Sequence, residues 1–355
     1  MFEFRRQPFR TLYMTYFITS TLLVRLPYWV ITAIPPFLRP RKTWSFGRSI
    51  FVPGIRAFVS TWYATSFPPA PGADPETIAN SPDAAPLGFV WVSPLPTDLI
   101  SKEIGEMMKA QGVEAQKTFA YWYQREGVKS SKDRKSEPNE KIILHFHGGG
   151  YVQGSAHPKG GAIGPVSSGL LQHCHGVSRV FAGGYRVSSS APFPSKNPWP
   201  AALLDGLACY YYLIHDMGFS ASNVIVSGDS AGGHLALAIA RYIGRGEHDG
   251  KGLPTPGALL LLSPTVEWGV THTGKDSSMV RNRRLPRKVY LLAGEAEICL
   301  DSYRTLKERL VGDLGEECVK YNEVPDATHD FITMPWHEPE RTEALRDIGA
   351  WIDSL

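Results

Sequence analysis

The sequence predicts an α/β chain built on a doubly wound, mostly parallel sheet, and three observations carry that prediction. From residue 141 to the C-terminus, strand-like and helix-like runs alternate. Two of the strand-like runs, Ile142-Ile143-Leu144-His145-Phe146 and Asn223-Val224-Ile225-Val226-Ser227, are apolar almost throughout, as in parallel strands buried on both faces. Each is followed by a glycine-rich turn, and after the second turn His234-Leu235-Ala236-Leu237-Ala238-Ile239-Ala240 reads as helix.

The chain has 355 residues, 43% of them hydrophobic, enough to bury one large core. A main domain is expected over residues 49–355, preceded by a distinct segment over 1–48. In that segment Arg5, Arg6 and Arg10 precede an uncharged, largely apolar run over 11–24. Arg25 and Pro27 break the run before it resumes over 28–38, and Arg39, Arg41, Lys42 and Arg48 follow. The first run is short for a spanning helix, which wants about 20 residues. Arg25 is costly in hydrocarbon unless it snorkels, and bases on both sides leave the orientation open. No clean small-residue cleavage site marks a signal peptide. Residues 11–38 are therefore expected to form a membrane anchor or an interfacial helix. The alternative is a soluble segment packing over the active site.

Residues 66–88 are rich in Pro, Ala and Asp and read as an irregular connection. Trp91-Val92-Ser93 and Phe119-Ala120-Tyr121-Trp122-Tyr123 read as early strands, and residues 129–141 as a charged, solvated loop. The net charge of +3 is small, and no basic stripe with interleaved aromatics points to nucleic acid. Four widely spaced cysteines form no CxxC pair, so neither a disulfide framework nor a zinc site is expected. His145 and His147 share a strand face but lack a clear third ligand, and no metal is expected. No Asn-x-Ser/Thr acceptor indicates a compartment.

The chemistry is carried by the turns. Gly228-Asp229-Ser230-Ala231-Gly232 lies between a strand and a helix, the setting of a nucleophile elbow that lifts a serine hydroxyl above the sheet edge. Side chains at Gly228 and Gly232 would crowd the neighbouring strand or helix. Upstream, His147-Gly148-Gly149-Gly150 closes an apolar strand, and consecutive glycines let main-chain N–H groups approach a developing oxyanion. Gly148, Gly149 and Ala231 are expected to be those donors. A serine needs a base, and the base an orienting acid, in the chain order serine, acid, histidine. Beyond His234 in the elbow helix, the candidates for the base are His248, His272, His329 and His337. His329 lies in a loop between an apparent strand and the terminal helix, whereas His248 and His272 precede the last two strands and His337 lies nearer the final helix. His329 is chosen. The strand Val289-Tyr290-Leu291-Leu292-Ala293 ends at Gly294, just before Glu295, Glu297 and Asp301. Glu297 is preferred as the acid, with the other two left open.

On these residues the chain resembles the hormone-sensitive-lipase-like branch of the α/β-hydrolases, the group that includes arylacetamide deacetylases and steryl acetyl hydrolases. The likeness is strong from about residue 141 onward and weaker back to about residue 87. It rests on His147-Gly148-Gly149-Gly150-Tyr151, on Tyr185-Arg186, on the elbow, and on the segments around Glu297 and His329. The stretch Asn197-Pro198-Trp199-Pro200-Ala201-Ala202-Leu203-Leu204-Asp205 is most similar to fungal members. The family places Asp, sometimes Glu, where Glu297 stands. It usually carries Asp before the Tyr-Arg pair, where this chain has Gly184, so a structural hydrogen bond is expected to be missing. The region 263–294 is short for the family, which implies a reduced cap and a more open acyl pocket.

The resemblance implies a serine carboxylester hydrolase without a cofactor, with Ser230, Glu297 and His329 as its triad. The implied substrate is a short-acyl ester of a hydrophobic alcohol. An amidase using the same triad and a non-catalytic binding homologue are the alternatives. Membrane association, at the endoplasmic reticulum, is the expected location, with the cytoplasm as the alternative.

Overall fold

A computed structural model describes residues 3–65, 74–125, 134–191, 193–246, 252–266 and 285–355. Two compact units result, Met1–Pro71 with Ala191–Pro194, and Gly72–Ser190 with Ser195–Leu355. In the first, helices α1 (Phe9–Ser20) and α2 (Leu26–Ala33) are joined by a π-turn over Thr21–Arg25, and both pack on α3 (Phe46–Thr65). Helix α3 runs across the expected boundary at residue 48. Among the described residues no helix is long and apolar enough to cross a membrane.

The second unit is an eight-stranded sheet in the order β1-β2-β4-β3-β5-β6-β7-β8. Its strands are β1 (Phe89–Val92), β2 (Thr118–Gln124), β3 (Lys141–Phe146), β4 (Val177–Gly183), β5 (Val224–Asp229), β6 (Ala258–Leu262), β7 (Val289–Gly294) and β8 (Val319–Val324). β1–β2 and β2–β4 pair antiparallel and the other neighbours parallel. The mostly parallel, doubly wound sheet expected from the sequence is present. Residues of β5, β6 and β7 are buried throughout, which is why those runs are continuously apolar rather than alternating.

Helices follow in chain order: α4 (Pro75–Ala79), α5 (Lys102–Gln111), α6 (Ile163–His173), α7 (Ala201–Tyr211), α8 (Ala231–Gly246), α9 (Leu300–Leu314) and α10 (Glu340–Asp353). One core layer joins α7 and α8 to one face of the sheet through residues such as Phe146, Leu204 and Leu235. The other joins α6 and α10 to the opposite face through Val166, Leu170, Leu345 and Ile348. The short α4 interrupts the connection expected to be irregular. Asp74 caps it by accepting from the Thr77 N–H at 3.1 Å, and Pro75 occupies the first turn. His248 and His272 lie outside the described residues, as does most of the region expected to form the reduced cap.

Candidate active site

Parallel strands deliver their following loops to one edge of the sheet, so residues far apart in sequence converge there. Ser230 sits between β5 and α8 with φ +49°, a conformation that costs a non-glycine residue on the order of 1–3 kcal/mol. The surrounding glycines allow it. A Cβ on Gly228 would lie 2.2 Å from the Gly232 carbonyl, and one on Gly232 would lie 2.0 Å from the Phe146 carbonyl oxygen. The elbow is therefore wedged against β3, with only backbone thickness between them.

His329 arrives from the loop between β8 and α10. Its Nε2 lies 3.1 Å from Ser230 Oγ, and its Nδ1 lies 2.7 Å from Glu297 Oε2. His337, the other candidate present, is buried. Its Nε2 accepts the Thr328 N–H at 3.3 Å, so it braces the loop that carries His329.

The three acids separate cleanly. Glu297 accepts from Ser263 Oγ and the Gly294 N–H at 2.6 Å on Oε1, and from Tyr303 Oη at 2.8 Å on Oε2, beside His329. Burial acts to raise its pKa, but the His329 bond and charge, with Ser263 and Gly294, outweigh it and hold the carboxyl below the ordinary range. Glu295 instead accepts the Asp326 N–H at 3.1 Å. Asp301 is out in solvent, 3.7 Å from Arg304.

Of the expected oxyanion donors, Gly148 is already engaged: its N–H donates to Asp229 Oδ2 at 2.9 Å. Gly149 and Gly150 take φ values of +110° and +63°, and their N–H groups and that of Ala231 have no acceptor among the described residues. Asp229 is itself held, with Oδ1 3.1 Å from His145 Nε2 and His145 Nδ1 2.9 Å from Ser227 Oγ. His147 is turned elsewhere, Nδ1 on the Gly148 carbonyl and ring stacked on Tyr185 at 4.3 Å. The two histidines thus have separate roles, one under the elbow and one beside the glycine loop.

At Gly184, a Cβ would lie 2.7 Å from the Phe119 ring. No carboxylate fits there; Asp205 of α7 takes the Arg186 backbone N–H at 2.8 Å and its Nε at 2.9 Å instead. Sequence reasoning missed Asp205, Ser263, Tyr303 and the role of Asp229. Only Asp229, inside the elbow motif, carried a local signal. Thr265, also missed, sets Oγ1 3.3 Å from Ser230 Oγ. Tyr151 Oη lies 2.8 Å from His234 Nδ1, and Trp199 meets both rings edge-on, forming an aromatic cluster around His234 of α8, one turn from the serine.

Residues 143–309 match a family model described as alpha/beta hydrolase fold, a span that contains Ser230 and Glu297. The chain is 29% identical over 147 residues to an acetyl-hydrolase of Streptomyces hygroscopicus, covering 41% of this chain and 43% of that one. It is 24% identical over 143 residues to steryl acetyl hydrolase 1 of Saccharomyces cerevisiae, covering 39% and 30%. The matched regions span less than half the length of either relative. Among solved structures, the Pyrobaculum calidifontis esterase superposes with a TM-score of 0.54 at 17% identity, over 79% of this chain and 88% of that one. The chain has the α/β-hydrolase fold, and its resemblance to the hormone-sensitive-lipase-like branch holds.

Proposed function

We propose that this chain is a serine carboxylester hydrolase acting on short-acyl esters of hydrophobic alcohols. The observation that carries the reading is the His329 imidazole, held between Ser230 Oγ and a fully hydrogen-bonded Glu297. As Ser230 Oγ attacks the ester carbonyl, its proton passes to His329 Nε2, and Glu297 stabilises the imidazolium. The oxyanion sits on the N–H groups of Gly149, Gly150 and Ala231, since Gly148 serves Asp229. The tetrahedral adduct collapses, the C–O bond breaks, and the alcohol leaves with the proton from Nε2. Water, deprotonated by the same nitrogen, then releases the acid and restores Ser230. Two relatives named for acetyl hydrolysis support a short acyl group, and the cluster of Tyr151, Trp199 and His234 suits an apolar alcohol.

A p-nitrophenyl ester series tests this. kcat/KM is expected to be highest from acetate to butyrate and to fall at least about tenfold by decanoate, the profile of a short-acyl preference. Negligible hydrolysis of every ester by folded protein, with no fluorophosphonate label on Ser230, would overturn the reading.

We infer further that the first unit, including residues 11–38, binds the surface of an anionic membrane. Between Glu3 and Asp74 the chain has nine basic residues and no acidic one. Leu22, Leu23, Ile31, Phe37 and Phe51 are exposed in the same unit. Apolar insertion beside basic charge is the pattern of an interfacial element. Co-sedimentation with phosphatidylserine-containing vesicles is expected, weakening as salt rises. Equal failure to bind anionic and neutral vesicles would refute it.

A further inference from the structure

The catalytic imidazole has a second carboxylate that the reaction above does not use. Asp330 Oδ2 lies 3.3 Å from His329 Nε2, on the same nitrogen that faces Ser230 Oγ at 3.1 Å. This contact between sequence neighbours depends on an unusual backbone. Asp330 has φ +54°, a left-handed conformation that turns its side chain back beside the preceding ring. Its Oδ1 is buried and has no hydrogen-bond partner among the described residues. Nothing local explains the strain: the turn Phe331–Thr333 uses the Asp330 carbonyl, accepting from Thr333, and not its carboxylate.

We propose that Asp330 is a positioning residue whose carboxylate charge, set beside the Nε2 edge of His329, holds the base back so that it is released for catalysis only at alkaline pH. The inference rests on the esterase reading. In the resting pair the imidazolium Nε2 is charge-paired with the Asp330 carboxylate at 3.3 Å, while its hydrogen-bond contact is Ser230 Oγ. Raising the pH removes the Nε2 proton to solvent, and the neutral nitrogen then accepts the Ser230 hydroxyl proton.

The other groups facing the imidazole are Glu297 from the loop after β7, Asp229 at the end of β5, and the hydroxyls of Ser230 and Thr265. Tyr303 of α9 reaches it only through Glu297. The charged groups acting on the ring are all acidic. Burial acts to lower the His329 pKa, but the Asp330 charge, the Glu297 bond and charge, and Asp229 outweigh it and raise it to about 9. Burial, with the Asp229 and Glu297 charges, raises the Asp330 pKa as well, against the His329 charge, so the acidic limb belongs to the coupled pair.

The test is the pH profile of kcat/KM for p-nitrophenyl acetate, with the rate of fluorophosphonate labelling of Ser230 as a substrate-free readout. Wild type is expected to show its acidic limb near 9. Asp330→Asn removes the charge and should move that limb down by about one pH unit or more. Well below the limb, the variant would then retain about tenfold more of its own plateau rate than wild type does. Asp330→Ser gives the same shift if the asparagine protein does not fold. A wild-type limb near the ordinary histidine value would overturn the inference without any variant, as would a limb that does not move in either variant. Active enzyme with an unmoved limb removes this inference alone. Absence of labelling and hydrolysis at every pH removes the esterase reading and this inference with it.

Discussion

Ser230→Ala is expected to lower kcat/KM for p-nitrophenyl acetate by about 10⁶-fold, the scale of losing a triad nucleophile. Among the described residues the polar contacts of the hydroxyl are His329 Nε2 and Thr265 Oγ1, at 3.1 and 3.3 Å, so its removal strands no described buried group elsewhere. Alanine tolerates the +49° φ no worse than serine does, and the elbow glycines are untouched. Thermal stability should therefore change little, a shift within a few degrees. The measurement pairs the ester assay with thermal unfolding and fluorophosphonate labelling. A variant that kept a tenth of the activity would mean that another nucleophile does the chemistry.

Glu297→Gln is expected to cost about 10⁴-fold in kcat, as when a triad acid loses its charge and the imidazole its tautomer. It should also cost stability, because four donors converge on this carboxylate: His329 Nδ1, Ser263 Oγ, Tyr303 Oη and the Gly294 N–H. A glutamine offers one oxygen and turns an NH₂ toward donors that want an acceptor. Each buried group left unpaired costs about 1–3 kcal/mol. The sign of the pH dependence follows from the depressed pKa of Glu297 in the folded state. Its contribution is present above the unfolded value, about 4.3, and is lost as pH falls through the lower folded value. Urea unfolding of wild type should weaken over that acid range, and the glutamine variant should lose this part of the slope. Unchanged kcat with an unchanged acid slope would show that Glu297 is not the orienting acid.

How much could be read along the chain depended on whether the signal was local. The strand–turn–helix order around Ser230 was legible because its ingredients are contiguous. An apolar run, two glycines at a close backbone crossing and a helix-forming run all fall within some twenty residues. His329 was legible by position, in the loop before the last helix. The choice among Glu295, Glu297 and Asp301 was not, since seven residues of one loop and helix start point three carboxylates in three directions. One goes to the Asp326 backbone, one to His329 and one to solvent.

The sequence by itself therefore determined the class of sheet and the elbow, written in short-range spacing and backbone sterics, and singled out His329 by its place in chain order. Tertiary structure alone decided which acid meets His329, that Asp229 takes the Gly148 N–H, that Asp205 rather than a neighbour of Tyr185 holds Arg186, and that Asp330 turns back on the imidazole. These contacts form where loops from separate parallel strands converge at one sheet edge, and there a side chain's partner is set by backbone rotation and packing rather than by its distance along the chain.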